Sequence, residues 1–338
     1  MNVVFNFFVG MLFFVQFCIA ESAITYAGCN GRFGDQLTCY IHAKWVSYKH
    51  GFVLVYKPFI YSDQLMLHEK EIISCEHLQI NKTVHIPRNK FITFSEDNAL
   101  YVLPYFSNYP KSNVEAQRAA CLFVVDWHDY KFLDLLRGLI SPKQSLELLK
   151  LSPKNLNVAL HIRTGGNYDK MWYGQADGTV KSKEFSDIAL PLNHPREEFY
   201  CKQLAWLVSL FKNNKIYVYI FTDDDHPEIL YERYRAAFGN PNITFDFRKA
   251  NNSCESYVLE DFFSIQLFDC IICPNSNYSI IASKIGDNAI TIFPVAYEWH
   301  DANLIMTKVK IDVKLRELQL LVDRKLVPIS ELSRVLLA

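Results

Sequence analysis

The chain has 338 residues, half of them hydrophobic and 14% aromatic, a composition that excludes a disordered polymer and a length that exceeds what one core ordinarily serves. Its 35 Lys and Arg against 36 Asp and Glu leave a formal net charge of -1. That balance argues against nucleic acid as a main partner, because phosphate-tracking proteins carry a basic excess, yet it is compatible with one small basic pocket.

Residues 3–20 carry no charge and are rich in Phe, and Cys18-Ile19-Ala20 is a small-residue pattern of the kind that precedes a signal-peptidase cut. No Lys or Arg occurs before Arg32, so the usual positive flank is missing. Residues 1–20 therefore read as a signal peptide or a membrane anchor, with a buried N-terminal element as the plain alternative; export is the favoured reading. It implies the lumen or membrane of the secretory pathway (or a cell envelope), with any membrane association through residues 3–20. Nine cysteines are present, and some could pair in an exported chain. Cys270 and Cys273 form a C-x-x-C inside an apolar run with no second pair at zinc spacing, so they read as core residues.

"AITYAG" (23–28) reads as a strand, "CNGRFGDQ" as a glycine-rich turn, "LTCYIHAKWVSYKHG" as an amphipathic helix closing at Gly51, and "FVLVYK" as a second strand. Residues 61–109 are aromatic and interrupted by prolines, and predict loops and short elements. "VEAQRAACLFVV" through "LLRGLI", and then "SPKQSLELLKL", predict helices that end in a linker at 152–157. Beyond it strands and helices alternate: "LNVALHI", "HPREEFYCKQLAWLVSLFKNN", "KIYVYIFTDD", "HPEILYERYRAAFG", "ITFDFRK", "YVLEDFFSIQLFD", "CIICPNS", "NYSIIASKIG" and "AITIFP". Helix then predominates to the end. The expectation is an α/β protein with two doubly wound Rossmann-like domains facing across a cleft: an N-terminal domain at 21–153, a second at 154–300, and a helical tail at 301–338.

Three polar clusters stand at predicted strand ends in the second half: His161, Arg163, Gly165 and Gly166; Thr222 with Asp223, Asp224 and Asp225; and the run Asn275, Ser276, Asn277, Tyr278, Ser279. Ligands of open parallel sheets bind beyond the carboxyl ends of the strands. The Arg163 fork suits a diphosphate, the 275–279 turn entering a helix suits an anion, and Asp223 or Asp224 suits a base edge or ribose hydroxyls. Each cluster alone has a plainer reading: a surface arginine, acids capping a helix (Asp225 above all), and a turn that caps without a ligand. Their coincidence on one rim favours a nucleotide-sugar site.

The same residues resemble the fucosyltransferase superfamily. "HIRTGG" looks like its H-x-R-x-G motif. "YIFTDD" is similar to the second motif of the alpha-1,2-fucosyltransferase family (glycosyltransferase family 11-like), and "LEDFFSIQLFDCIICPNSNYSIIAS" looks like the third. "GRFGDQL" resembles the family's N-terminal loop, in the form typical of protein O-fucosyltransferases. The resemblance implies a GT-B-like fold and inverting transfer of fucose from GDP-fucose to a glycan or glycoprotein hydroxyl. It implies no cofactor and no metal.

It also implies roles for single residues. Arg163 and its companion His161 would act on the donor diphosphate. Gly165, Asp223, Asp224, Glu260, Asp261, Asn275, Ser276, Asn277 and Ser279 would line the donor. Gly31, Arg32, Phe33, Gly34 and Gln36 would form an acceptor-side loop. Asp35 replaces the family's usual Asn there and is the candidate general base, with His42, His128 and His300 as lesser alternatives. Gly166 replaces the first motif's Asp, and Asn277 the third motif's Ser or Thr. Three rivals stay open: a protein O-fucosyltransferase, a catalytically inactive nucleotide-sugar or glycan-binding protein, and a different GT-B enzyme using another nucleotide-sugar.

Overall fold

The computed structural model describes residues 22–29, 31–87, 94–105, 124–164, 189–249, 251–300 and 303–327; the apolar leader lies outside them. The chain divides into two units, Met1–Ser141 and Pro142–Ala338, and each is an α/β unit built on parallel strands.

The first unit contains β1 (Ala23–Tyr26), α1 (Phe33–His50), β2 (Val53–Leu54), α2 (Leu67–Lys70), β3 (Lys82–His85), β4 (Ala99–Leu103) and α3 (Tyr130–Leu139). Its sheet has the order β2-β1-β4-β3, all pairs parallel. All of β1 is buried, as suits an inner strand covered on both faces. α1 begins at Phe33, four residues before the apolar periodicity starts, because Arg32 and the first-turn residues are already helical in their bonding: the N–H groups of Asp35 and Gln36 both reach the Arg32 carbonyl. It closes at Gly51, whose φ of 73° is the left-handed conformation glycine adopts most readily, with its N–H on the Ser47 carbonyl at 2.8 Å. Beside α1, one oxygen of the buried Glu71 carboxylate accepts from the Tyr40 hydroxyl at 2.8 Å and pairs with Lys44 at 2.7 Å.

The second unit contains β5 (Leu156–Ile162), α4 (Ala189–Asn193), α5 (Glu197–Leu210), β6 (Ile216–Thr222), α6 (Pro227–Phe238), β7 (Ile243–Phe247), α7 (Val258–Ile265), β8 (Cys270–Ile272), α8 (Asn277–Ile285), β9 (Ile290–His300), β10 (Asn303–Val313) and α9 (Leu315–Asp323). The sheet order is β10-β9-β8-β5-β6-β7, parallel throughout except for β10 against β9. Every residue of β5 is buried, and its one amide, Asn157, is held from below. Asp269 accepts the Asn157 backbone N–H at 2.8 Å and its side-chain amide at 3.2 Å, while Arg324 pairs with the same carboxylate and donates to the Asn155 carbonyl at 2.8 Å. Cys270 and Cys273 are fully buried core residues, as expected.

Two expectations are corrected. The stretch 301–338 is not a helical tail from its start. Residues 303–313 form β10, which pairs antiparallel with the whole of β9; only Ile290, Thr291 and Ile292 of β9 pair with β8, so the rest of that long strand takes its partner from β10. A register shift around Lys308 breaks the side-chain alternation that would have marked the strand. The helix then follows as α9, which buries Leu318 and Leu321. "SPKQSLELLKL" (141–151) forms no helix: tertiary bonding overrides its leucine spacing, and the Leu149 N–H donates to the Ser264 hydroxyl of α7. Among the described residues no helix is long and apolar enough to cross a membrane.

Candidate functional site

The strand order of the second unit reverses at β5. Going forward in sequence, β6 and β7 lie to one side, whereas β8 and β9 lie to the other. Such a reversal opens a crevice at the carboxyl ends of the two strands that flank it, here β5 and β8. Because β5 to β9 run parallel, the residues that follow β5, β6, β7 and β8 all emerge on one edge.

Arg163 and Thr164 follow β5 directly. The pairing of Ile162 with Thr222 brings Thr164 level with Asp223. One oxygen of Asp223 accepts the Thr164 N–H at 2.7 Å and the Thr164 hydroxyl at 3.1 Å; the other oxygen is buried and accepts no hydrogen bond among the described residues. The Arg163 carbonyl faces the buried His194 ring, 3.4 Å from its Nδ1. A carbonyl only accepts, so Nδ1 carries the hydrogen of that contact.

The β8 side is built by the turn into α8. The Asn275 N–H donates to the Leu192 carbonyl at 2.9 Å, which ties this turn to α4. Ser276 is the residue before the helix, and its side chain makes no capping bond. The aligned peptides of α8 therefore point their positive end at the crevice without a hydroxyl of Ser276 folded over them. Tyr278, in the first turn, lies with its ring 5.7 Å from that of His161 and 5.6 Å from that of Phe262, and its hydroxyl donates to the Val258 carbonyl at 2.7 Å. This one residue fixes the end of β5 against the starts of α7 and α8. Ser279 is fully buried, and its hydroxyl turns back to the Ser276 carbonyl at 3.4 Å.

The acids of the second cluster divide their work. Asp224 accepts the His226 N–H at 2.8 Å and so makes the turn that starts α6. Asp225, expected to cap that helix, is exposed and is not the capping residue. After β7, Arg248 stacks its guanidinium 3.9 Å from the Tyr257 ring and pairs with Asp261. Burial pushes the Asp261 carboxyl up to about 6, against the opposing pull of Arg248. Glu260 stands half-buried beside it.

The acceptor-side candidates belong to the first unit. The Asp35 side chain lies directly on Gly31: a β-carbon there would come within 2.5 Å of the Asp35 Cβ and 2.7 Å of its Cγ, so only glycine fits. The Tyr105 hydroxyl donates to Asp35 at 3.2 Å. Gln36 donates to the Gly31 carbonyl at 2.6 Å and accepts from the Ile60 N–H at 3.3 Å, which joins the loop to the next one. Phe33 is buried, with the rings of Phe59 at 6.3 Å and Tyr61 at 6.2 Å. Arg32 precedes the helix without a side-chain cap, and the Gly34 carbonyl accepts the Thr38 hydroxyl at 2.7 Å.

The fold thus gathers His161, Arg163, Asp223, Asp224, Asn275, Ser276, Asn277 and Ser279 along one sheet edge. It places Glu260 and Asp261 on the first turn of α7 and keeps Gly31 to Gln36 on the first unit. Gly165 lies outside the described residues. Sequence reasoning overlooked His194, Tyr105 and Arg248. Only His194 carried a signal, a His-Pro step at the start of α5 like the one at the start of α6.

No family model and no curated protein matches the chain. Solved structures do resemble it. One is POFUT1 in complex with GDP-fucose, at 11% identity, covering 81% of this chain and 96% of that one with a TM-score of 0.40. Another is a variant of Arabidopsis thaliana FUT1 in complex with GDP, at 10% identity, covering 88% and 76% with a TM-score of 0.49. A third is the fucosyltransferase NodZ from Bradyrhizobium, at 12% identity, covering 87% and 99% with a TM-score of 0.42.

Proposed function

We propose that this protein is an inverting glycosyltransferase that moves a sugar, fucose by its motifs, from a GDP-sugar to a glycan hydroxyl. The observation that supports it most is that Arg163 follows β5 and the α8 N-terminus follows β8, so both stand at the carboxyl ends of the adjacent strands where the order reverses. A diphosphate there would meet two sources of positive potential that cost no reorganisation when the leaving group gains charge. Asp223 holds the loop after β5, and with it Arg163, in place. The acceptor hydroxyl attacks the anomeric carbon from the face opposite the diphosphate. Asp35 is assigned as the base that takes its proton.

The reading assigns no metal to the chemistry, so turnover survives excess chelator. It places the protein in the lumen or at the membrane of the secretory pathway, through the leader. The test is thermal: GDP, UDP and ADP are titrated against unfolding. GDP at 100 times its dissociation constant stabilises the native state by about 2.7 kcal/mol. Equal or absent shifts for all three nucleotides refute the donor assignment. Slow release of GDP from GDP-fucose without acceptor separates an enzyme from an inactive binding protein.

A further inference from the structure

The last residues of β5 and β8 that pair with each other are Leu160 and Ile272. Arg163 and Asn275 each follow three residues later, where no ladder bond joins the two strands among the described residues. One short segment spans that gap. The Leu192 carbonyl accepts the Asn275 N–H at 2.9 Å, and the His194 Nδ1–H reaches the Arg163 carbonyl at 3.4 Å. Leu192 is fully buried and His194 is 5% exposed, so neither bond competes freely with water. Prolines stand on both sides of the segment, at 191 and 195. Pro195 disfavours a helical His194, and α4 accordingly stops at Asn193. A stretch stiffened at both ends loses little further freedom when it is bonded at both ends.

We propose that His194 is a positioning residue of the donor site. With Leu192 it clamps the end of β5 to the turn into α8, so that the Arg163 backbone and the α8 N-terminus keep a fixed spacing before a diphosphate arrives. This role rests on the nucleotide-sugar reading of that sheet edge. The sheet does not set the spacing, because its ladder between these strands ends at Leu160. Asp223 does not set it either, since it joins β5 to β6 on the other side. The Tyr278 ring packs on His161, two residues short of Arg163, and a ring contact at 5.7 Å is less directional than a hydrogen bond. A cation carried on a loose backbone spends part of its attraction on being ordered by the ligand, whereas one carried on a clamped backbone does not.

Leucine and asparagine fill similar space, and of the two only asparagine keeps an N–H near the Nδ1 position. Comparing His194→Leu with His194→Asn therefore separates the bond from the packing. GDP binding is followed by calorimetric titration. Exchange of the Asn275 amide hydrogen is read at single-residue level by mass spectrometry on the nucleotide-free full chain. The Asn275 amide of the parent should exchange slowly. His194→Leu should speed that exchange and weaken GDP binding, each by roughly 5- to 10-fold, the loss of about one net hydrogen bond. His194→Asn should bring both to within about 3-fold of the parent. Fast exchange at Asn275 in the parent overturns the proposal without any variant. Equal losses in the two variants overturn it as well, as does unchanged GDP binding or unchanged Asn275 exchange in His194→Leu. A parent that binds no GDP refutes the nucleotide-sugar reading instead, and the exchange pattern alone then decides whether the clamp exists.

Discussion

One carboxylate oxygen of Asp223 holds Thr164 twice, through its backbone N–H at 2.7 Å and its hydroxyl at 3.1 Å. The bonds join the ends of two neighbouring parallel strands and fix the residue that follows Arg163. Charge-assisted bonds of this kind contribute about 1.5–3 kcal/mol. Asp223→Ala should lower stability by roughly that amount and weaken GDP binding. Thr164→Val, which keeps the N–H bond, should cost only about 1 kcal/mol. Chemical denaturation and calorimetric titration of both variants check the order; equal losses would show that the hydroxyl carries the contact.

Arg163→Lys should cut turnover at least ~100-fold, since an ammonium cannot reproduce a planar fork on a diphosphate. Its melting temperature should stay near that of the wild type. Turnover close to normal would remove Arg163 from the mechanism.

Asp35→Asn keeps the shape of the side chain and leaves an oxygen for the Tyr105 hydroxyl. If Asp35 takes the acceptor proton, the variant loses roughly 100-fold or more in turnover while donor binding stays intact. Unchanged or raised activity would assign the carboxylate to packing against Gly31 alone.

Asp312 pairs with Lys284 at 2.7 Å and with Lys310 at 3.2 Å. Burial alone would raise its carboxyl, but the two ammonium groups together hold it below the usual carboxylate range. A folded value below the unfolded one gives stability that is present above about pH 4 and is lost as pH falls through the folded value. Lys284→Met should therefore cost about 1 kcal/mol at neutral pH, and that difference should shrink in acid. A difference that grows below pH 4 would contradict the sign.

The second unit was the more legible half. β5, β6 and β8 are buried apolar runs, and each ends in the polar cluster that marks the rim. The ends of buried strands are conspicuous because polarity changes there at once. β3 and β4 lay in a stretch of mixed signals, four and five residues long, where the partner strand and not the local pattern decides the conformation. The contacts to Asp35 and Arg163 were invisible for a related reason: Tyr105 is 70 residues from Asp35 and His194 is 31 from Arg163. Nor could the sequence tell that Ser279 spends its hydroxyl inside the turn, because a buried serine and a ligand-facing one look alike in a motif.

β10 closes its sheet on one side and, among the described residues, leaves its other row of backbone groups without a strand neighbour. An unpartnered row of that length is a ready template for stacking chain upon chain. Here the register shift at Lys308 puts a kink in the template, and Lys308 and Lys310 stand exposed along it as like charges that two copies would have to bring together. The hairpin that extends the sheet thus carries its own safeguard against fibril-like growth, and replacing both lysines with valine should make the protein prone to aggregate at concentrations where the parent stays dispersed.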